Sequence, residues 1–169
     1  MVPTEDGTCS SQDVLRRLLE IQHEEDDQLW LLLDTDHYTT GTHLRTFTET
    51  LRDARQNGVE VALSRPCFEL WLLLHHADEH GVRLLPDASA VEKALRDQLG
   101  SYNKTNLNSE HFPLKSVRLA CERASRLDLI VEGGEIPQQN TTRLYLLWKS
   151  VISKALPSQL PQELRGVFG

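Results

Sequence analysis

Two short apolar runs predict two β-strands. The first, LWLLL at positions 29–33, is too short for a typical amphipathic helix and is typical of a strand buried on both faces. The second is VEVAL at positions 59–63. The Asn-Gly pair at 57–58 predicts a left-handed helix end just before the second strand. The helix that it would close has apolar residues at helical spacing, at Leu44, Phe47, Leu51 and Ala54.

A strand, a helix and a strand within about 35 residues predict a right-handed βαβ crossover. Such a crossover makes the two strands parallel, so that both end at the same edge of the sheet. The loops at 34–42 and 64–68 should therefore open on one side, where ligands of α/β proteins usually bind. The pattern predicts an α/β fold with a small parallel sheet flanked by helices.

Helical patterns flank this unit on both sides. Ser10 or Ser11 is the expected N-cap of an amphipathic helix that reaches about His23. The segment SRPCFELWLLLHH, at 64–76, predicts a helix that is apolar on most sides, with Pro66 in its first turn.

The C-terminal third is also expected to be helical. One apolar face runs from Leu114 to Leu129, and Asn140 or Thr141 is expected to cap a last helix. We expect residues 1–156 to form a single domain and 157–169, which contain two prolines, to be a loosely held tail.

Three carboxylates stand close to the predicted sheet edge. If the chain stays extended after the first strand, Asp34 and Asp36 point to the same side and can share one cation. Glu69 lies in the first turn of the apolar helix, where it requires a cation, a metal or backbone donors as a partner. The crossover is expected to bring all three to a common rim.

Composition limits the classes of function. The chain has 169 residues and a net charge of −7, which argues against binding nucleic acid unaided through a broad basic surface. Its three cysteines are widely scattered, so neither a disulfide framework nor a thiolate zinc site is indicated, and a reducing cytoplasm fits. No apolar stretch approaches the roughly 20 residues that a membrane helix requires, and we expect no membrane association.

Three stretches resemble the RloB family of bacterial defence proteins, which have a Toprim-like fold. They are LWLLLDTDH, the segment VEVALSRPCFELWLLLHH, and LGSYNKT at 99–105. The similarity is strongest over residues 28–76. It implies a metal-dependent site that cleaves phosphodiesters, working with an AAA- or ABC-type ATPase encoded elsewhere in abortive defence against phage.

The resemblance assigns expected roles to individual residues. Asp34 would bind Mg²⁺ or Mn²⁺ directly and Asp36 directly or through water, because they match the Asp-x-Asp element of Toprim sites. Glu69 matches the glutamate of the family's Pro-Cys-Phe-Glu-Leu-Trp segment and would join the metal and catalytic site. His37 would fill the polar place beside the aspartates, and His75 matches the histidine that closes the segment.

Lys104 has two possible roles. Its ammonium group can contact a phosphate beside an acidic cleft, or it can be an ordinary residue of a surface loop. Because of the first role, we include it among the expected catalytic residues.

The chain also departs from the family pattern. RloB-like proteins usually begin with an apolar strand that supplies the Toprim glutamate, and no such strand precedes residue 11. Glu5 has no strand to place it, so the sequence is either an N-terminally shortened chain or a natural protein with half a site. Arg65 stands where the family commonly has asparagine, so Ser64 is expected to replace it as the helix cap.

Two functions remain open. The first is a magnesium-dependent nuclease subunit that acts on DNA or RNA together with the ATPase. The second is a non-catalytic interaction or sensor module that docks on the ATPase and uses the fold with one bound metal.

Overall fold

A computed structural model describes residues 10–36, 38 and 42–167, and the described residues form a small mixed sheet flanked by helices. Strand β1, Trp30–Asp34, pairs in parallel with β2, Glu60–Arg65. The predicted βαβ crossover is therefore confirmed. A third strand, β3, Thr141–Thr142, pairs antiparallel with β2, which gives the order β1-β2-β3.

Seven α-helices are found in the described part of the chain. They include the crossover helix α2 and the predicted C-terminal helices. Their bounds are α1 Ser11–Leu19, α2 Thr42–Gln56, α3 Glu69–Leu74, α4 Glu79–Arg83, α5 Ala88–Leu99, α6 Leu114–Asp128 and α7 Leu144–Lys154. Short 3₁₀ turns occupy Ser109–His111 and Gln162–Leu164.

The ends of the first two helices test the predicted caps. Ser10 caps α1, and its hydroxyl oxygen accepts a hydrogen bond from the Asp13 backbone N–H. The helix ends at Leu19, so its expected extension to about His23 is wrong: residues 20–28 are exposed, and Ile21, the one apolar residue among them, is itself 38% exposed. Gly58, with φ of 69°, provides the predicted left-handed turn after α2.

Two other predicted helix starts are wrong. Helix α3 begins at Glu69, whereas Pro66 follows a cis peptide bond and belongs to the connection from β2. Thr141 does not cap α7, because its backbone pairs with Arg65 in β3. The side chain of Asn140 instead donates hydrogen bonds to the carbonyls of Val82 and Leu85, near the C-terminus of α4.

Apolar clusters cover the two faces of the sheet. Leu31 and Leu33 pack with α1 and α2 on one face, whereas Trp30 and Ala62 contact the larger cluster that contains α3, α5, α6 and α7. Leu32 is 41% exposed, so the expectation that the first strand is buried on both faces is wrong. The reason is that β1 is an edge strand whose second face is only partly covered.

The last residues of the described chain belong to the core. Leu164 and Val167 are buried in the same cluster as α6. The expectation of a loosely held tail is wrong for these residues, because they bury apolar surface against a helix. No helix in the ranges that the structure describes is long and apolar enough to cross a membrane.

Candidate functional site

The carboxyl ends of β1 and β2 are joined beyond their regular pairing. Asp34 pairs with Ser64 in the strand register. The Thr35 N–H then donates to the carbonyl oxygens of Ser64, at 3.0 Å, and Pro66, at 3.3 Å. The Asp36 N–H donates to the Pro66 carbonyl at 3.1 Å. The aspartate segment is therefore held against the segment that leads into α3.

The pKa of Asp34 shows that charged groups crowd this edge. Burial is the largest cause that raises it, followed by the negative charges of Glu69 and Asp36, and together they raise the pKa from 3.8 to about 7. A hydrogen bond from the Phe68 backbone and the positive charge of Lys104 oppose this increase. Together with the backbone bonds to Pro66, these effects agree with the predicted common rim, whereas the roles of these residues in metal binding and catalysis stay predictions.

Glu69 is the first residue of α3 and is buried, with 4% of its surface exposed. Its Oε1 accepts hydrogen bonds from the Tyr102 hydroxyl and from the Lys104 ammonium group, both at 2.9 Å. Burial opposes ionisation, but the hydrogen bonds from Lys104, the backbone and Tyr102 outweigh it, so the pKa of Glu69 lies below its ordinary value. Glu69 is therefore ionised at neutral pH and has a cation as its partner.

Lys104 links two acidic side chains. Its ammonium nitrogen lies 2.9 Å from Glu69 Oε1 and 3.5 Å from Glu92 Oε2. The hydrogen bond with Glu69 is the largest of the effects that raise the pKa of Lys104, so the amine stays protonated. Lys104 is consequently more than a solvated loop residue, although its side chain is still 59% exposed and accessible to a ligand.

Tyr102 and Cys67 complete the surroundings of Glu69. Burial and the hydrogen bond to Glu69 raise the pKa of the Tyr102 hydroxyl, which remains a donor. Burial, the nearby charge of Glu69 and a hydrogen bond to it raise the pKa of the Cys67 thiol. Neither residue was assigned a role from the sequence. The signal for Tyr102 was its place two residues before Lys104 in the LGSYNKT stretch.

The structure leaves some expected site features untested. His37 and Glu5 lie outside the described residues. Within the ranges that are described, no group of three or more His, Cys, Asp or Glu side chains is arranged to hold a metal ion. The sharing of one metal by Asp34, Asp36 and Glu69 therefore stays a prediction, and Glu69 is held by Lys104 and Tyr102.

His75 belongs to the core. It is buried, and its Nδ1 lies 2.8 Å from Ser116 Oγ. Because the Ser116 hydroxyl donates its hydrogen to the Pro113 carbonyl, His75 Nδ1 must be the donor in this bond. Burial, followed by the charges of His76 and Arg123, lowers the pKa of His75 to about 4. His75 is therefore neutral at physiological pH.

Ser64 does not replace the asparagine that the family has at position 65. Its hydroxyl hydrogen bonds to Thr142 Oγ1 at 2.9 Å, across β2 and β3. The residue that precedes α3 is Phe68, which makes no side-chain cap. The expected serine cap is wrong because the strand pairing holds Ser64 inside the sheet.

Removal of the Lys104 charge should destabilise the protein through Glu69. In Lys104→Met the buried carboxylate keeps Tyr102 but loses its cation, and we expect a loss of about 1–2 kcal/mol in the free energy of unfolding at pH 7. Urea denaturation measures this loss. Lys93→Met, which changes an exposed lysine of α5, is the matched control. Equal stability of the two variants would contradict the importance of the ion pair.

The raised pKa of Asp34 predicts a specific pH dependence. The folded state keeps a proton that the unfolded chain releases above about pH 4, so the stability contributed by Asp34 is complete below that pH and is lost as the pH rises through about 7. Asp34→Asn should remove this part of the slope. At pH 8 it should be about 1–4 kcal/mol more stable than the wild type, since one pKa unit is about 1.4 kcal/mol.

Urea unfolding at several pH values in EDTA measures this effect without divalent metal. Asp97→Asn, an exposed aspartate of α5, is the control and should keep the wild-type slope. Parallel stability curves for wild type and Asp34→Asn would show that Asp34 ionises normally.

The comparisons with known proteins identify the family. The family model described as RloB-like protein matches residues 2–151, which is most of the chain. No curated protein and no solved structure matches the chain. The match covers the sheet, the carboxylates at its edge and the loop that carries Tyr102 and Lys104. The chain therefore belongs to the RloB-like family.

Proposed function

We propose that this chain is the nuclease subunit of a bacterial anti-phage defence system, with a Toprim-like site that uses Mg²⁺ or Mn²⁺. In this proposal it works in the cytoplasm with an AAA- or ABC-type ATPase and leads to abortive infection. The observation that carries the proposal is the excess of negative charge at the ends of β1 and β2. There Asp34 is partly buried beside two other carboxylates and has a pKa near 7.

The side chains at this edge suit a hard divalent cation. Like charges and burial disfavour the carboxylate form of Asp34, and a nearby cation would restore it. Asp34 and Asp36 offer the oxygen ligands that Mg²⁺ prefers, and Mg²⁺ sites commonly use one or two carboxylates with waters and substrate phosphate. A bound ion at these residues would stabilise charge on a phosphoryl group and lower the pKa of a water ligand.

Other residues of the site have supporting roles in this proposal. Glu69 adds negative charge to the rim while Lys104 and Tyr102 keep its carboxylate in one orientation. The Lys104 ammonium group is charged and more than half exposed, so it can contact a substrate phosphate on its open side. Substrate phosphate and Glu69 would then share one cation.

The net charge favours action within a complex. At −7, the chain repels the phosphate backbone at long range, and phosphate contacts supply much of the affinity of most nucleic-acid-binding proteins. A partner ATPase that presents basic surface would supply this attraction. DNA and RNA both fit the proposal.

A non-catalytic interaction or sensor module is the second candidate. One observation favours it: among the described residues no three metal-ligating side chains converge, and Glu69 already has a cation partner. In this case, one ion held by Asp34 and Asp36 would stabilise a surface that docks on the ATPase.

Divalent metal should protect the domain against thermal unfolding through Asp34. With millimolar affinity, 10 mM Mg²⁺ or Mn²⁺ would add about 1.4 kcal/mol and raise Tm by about 3–6 °C. Asp34→Asn should abolish the increase because it removes a charged ligand. Differential scanning calorimetry in buffer with and without the metal measures both proteins.

Asp26→Asn is the control for non-specific binding, since Asp26 lies in an exposed acidic segment before the amino end of β1, whereas Asp34 lies at the carboxyl end of that strand. It should retain the full increase in Tm. Equal protection of the wild type and Asp34→Asn would reject Asp34 as a metal ligand.

Nuclease activity should require both the metal site and the partner. We expect the chain, mixed with its ATPase, ATP and Mg²⁺, to cleave single-stranded or duplex DNA or RNA, and Asp34→Asn or Asp36→Asn to lower the rate at least about 100-fold. Gel analysis of end-labelled substrates measures cleavage.

Asp26→Asn should cleave at the wild-type rate in the same assay. If the wild-type complex binds the substrates without cleaving any of them, while the ATPase still binds the chain, the interaction module would replace the nuclease as the function. Cleavage that is unchanged in both aspartate variants would place the active site elsewhere.

A further inference from the structure

A polar pocket adjoins the acidic rim at the connection between α5 and α6. Its volume is about 330 Å³, near the lower end of the roughly 300–1,000 Å³ that small-molecule sites occupy. Rings and amide groups dominate its lining, contributed by Tyr102, Asn103, Asn106, Asn108, His111 and Phe112. The size fits one compact ligand.

The rings of the pocket are held by the core. Phe112 makes edge contacts with His75 and His76, with ring centroids 5.4 Å and 5.6 Å apart. His111 follows it in the chain, and its ring centroid lies 6.3 Å from that of Phe112 at an angle of 71°. A flat ligand can therefore stack on one ring and meet the edge of another.

The amides of the pocket are oriented by local turns. Asn103 Oδ1 accepts hydrogen bonds from the backbone N–H and the hydroxyl of Thr105. Asn108 Oδ1 accepts one from the Glu110 N–H. Because these bonds use the carbonyl oxygens, the amide nitrogens of Asn103 and Asn108 remain as donors, and Asn106 adds a third amide to the lining. Amides of this kind match the edges of nucleobases.

The lining favours a base over a phosphate. It contains no lysine, arginine, aspartate or glutamate. A phosphate site would require cations or a cluster of backbone donors, whereas unpaired bases are bound by aromatic stacking and by hydrogen bonds to their edges.

Tyr102 connects the pocket to the carboxylates. It lines the pocket, and its hydroxyl donates to Glu69 Oε1. Lys104, two residues further, pairs with the same oxygen. One short segment therefore contributes both to the pocket and to the site that is proposed to bind phosphate.

We propose that this pocket binds one unpaired nucleobase of a single-stranded substrate. The inference rests on the proposed nuclease function and adds a substrate class to it, namely single-stranded nucleic acid or a single-stranded loop. A base in the pocket positions the strand, so that its phosphates follow Lys104 towards the aspartates.

Binding of free nucleosides tests the pocket directly. In a titration of ¹⁵N-labelled protein with adenosine and with cytidine in EDTA, we expect amide shift changes at residues 101–112. His111→Ala and Asn106→Ala should each weaken the binding, His111→Ala by at least about fivefold if its ring stacks on the base. His111 and Asn106 are chosen instead of Phe112 because Phe112 packs on the core and its replacement can unfold the domain.

His80→Ala, which removes an exposed histidine of α4, is the matched control and should bind as the wild type does. Shift changes with inorganic phosphate but with neither nucleoside would overturn the base assignment. Absence of any change would overturn it as well, and so would binding by both His111→Ala and Asn106→Ala that is as tight as that of the wild type. The titration needs neither metal nor ATPase, so its result is independent of the cleavage assay. Nucleoside binding without cleavage would reject only the nuclease function, whereas cleavage without nucleoside binding would reject only the pocket.

Discussion

The site depends on how the chain continues after β1 and β2. The parallel pairing brings Asp34 opposite Ser64, and the Pro66 carbonyl then accepts the N–H groups of both Thr35 and Asp36. This one carbonyl replaces the next strand residue as acceptor and holds the aspartates against the start of α3. The repulsion that Glu69 and Asp36 exert on Asp34 follows from it, because like charges interact strongly only when the chain fixes them near one another in a partly dry environment.

The carboxylates at the rim differ in how their negative charge is compensated. Glu69 has Lys104 and Tyr102 and stays ionised, whereas Asp34 carries the penalty of burial and repulsion in its raised pKa. The Thr35 hydroxyl adds to the strain, because it is fully buried and has no hydrogen-bond partner in the described part of the chain. Unfavourable groups concentrated at one edge of a sheet are typical of functional sites, because an edge with a purely structural role would gain stability from their removal.

The sequence could predict those parts of the fold and site that short-range patterns encode. The two apolar strands and the crossover helix were predictable from periodicity, and the common rim of Asp34 and Glu69 follows from their geometry. Strand β3 has only two residues and no apolar alternation, so its pairing with β2 left no local signal. The partners of Glu69 could not be predicted either, because Tyr102 and Lys104 lie in a polar loop more than 30 residues away. Such a loop has no periodicity from which the orientation of its side chains could be inferred.

That distant loop determines how the site can respond to a substrate. Asp34, Asp36 and Glu69 are attached to strand ends and to a buried helix, which are rigid, whereas Lys104 is half exposed and shared between Glu69 and Glu92. Glu69 is buried, so its pair with Lys104 contributes to stability, but the lysine side of the pair is exposed, and a phosphate can bind the open side of the ammonium group without displacing Glu69. The fixed acids therefore define where a cation would bind. The loop that carries Lys104 and Tyr102 supplies an adjustable contact, through which the pocket and the rim can bind one nucleic-acid strand together.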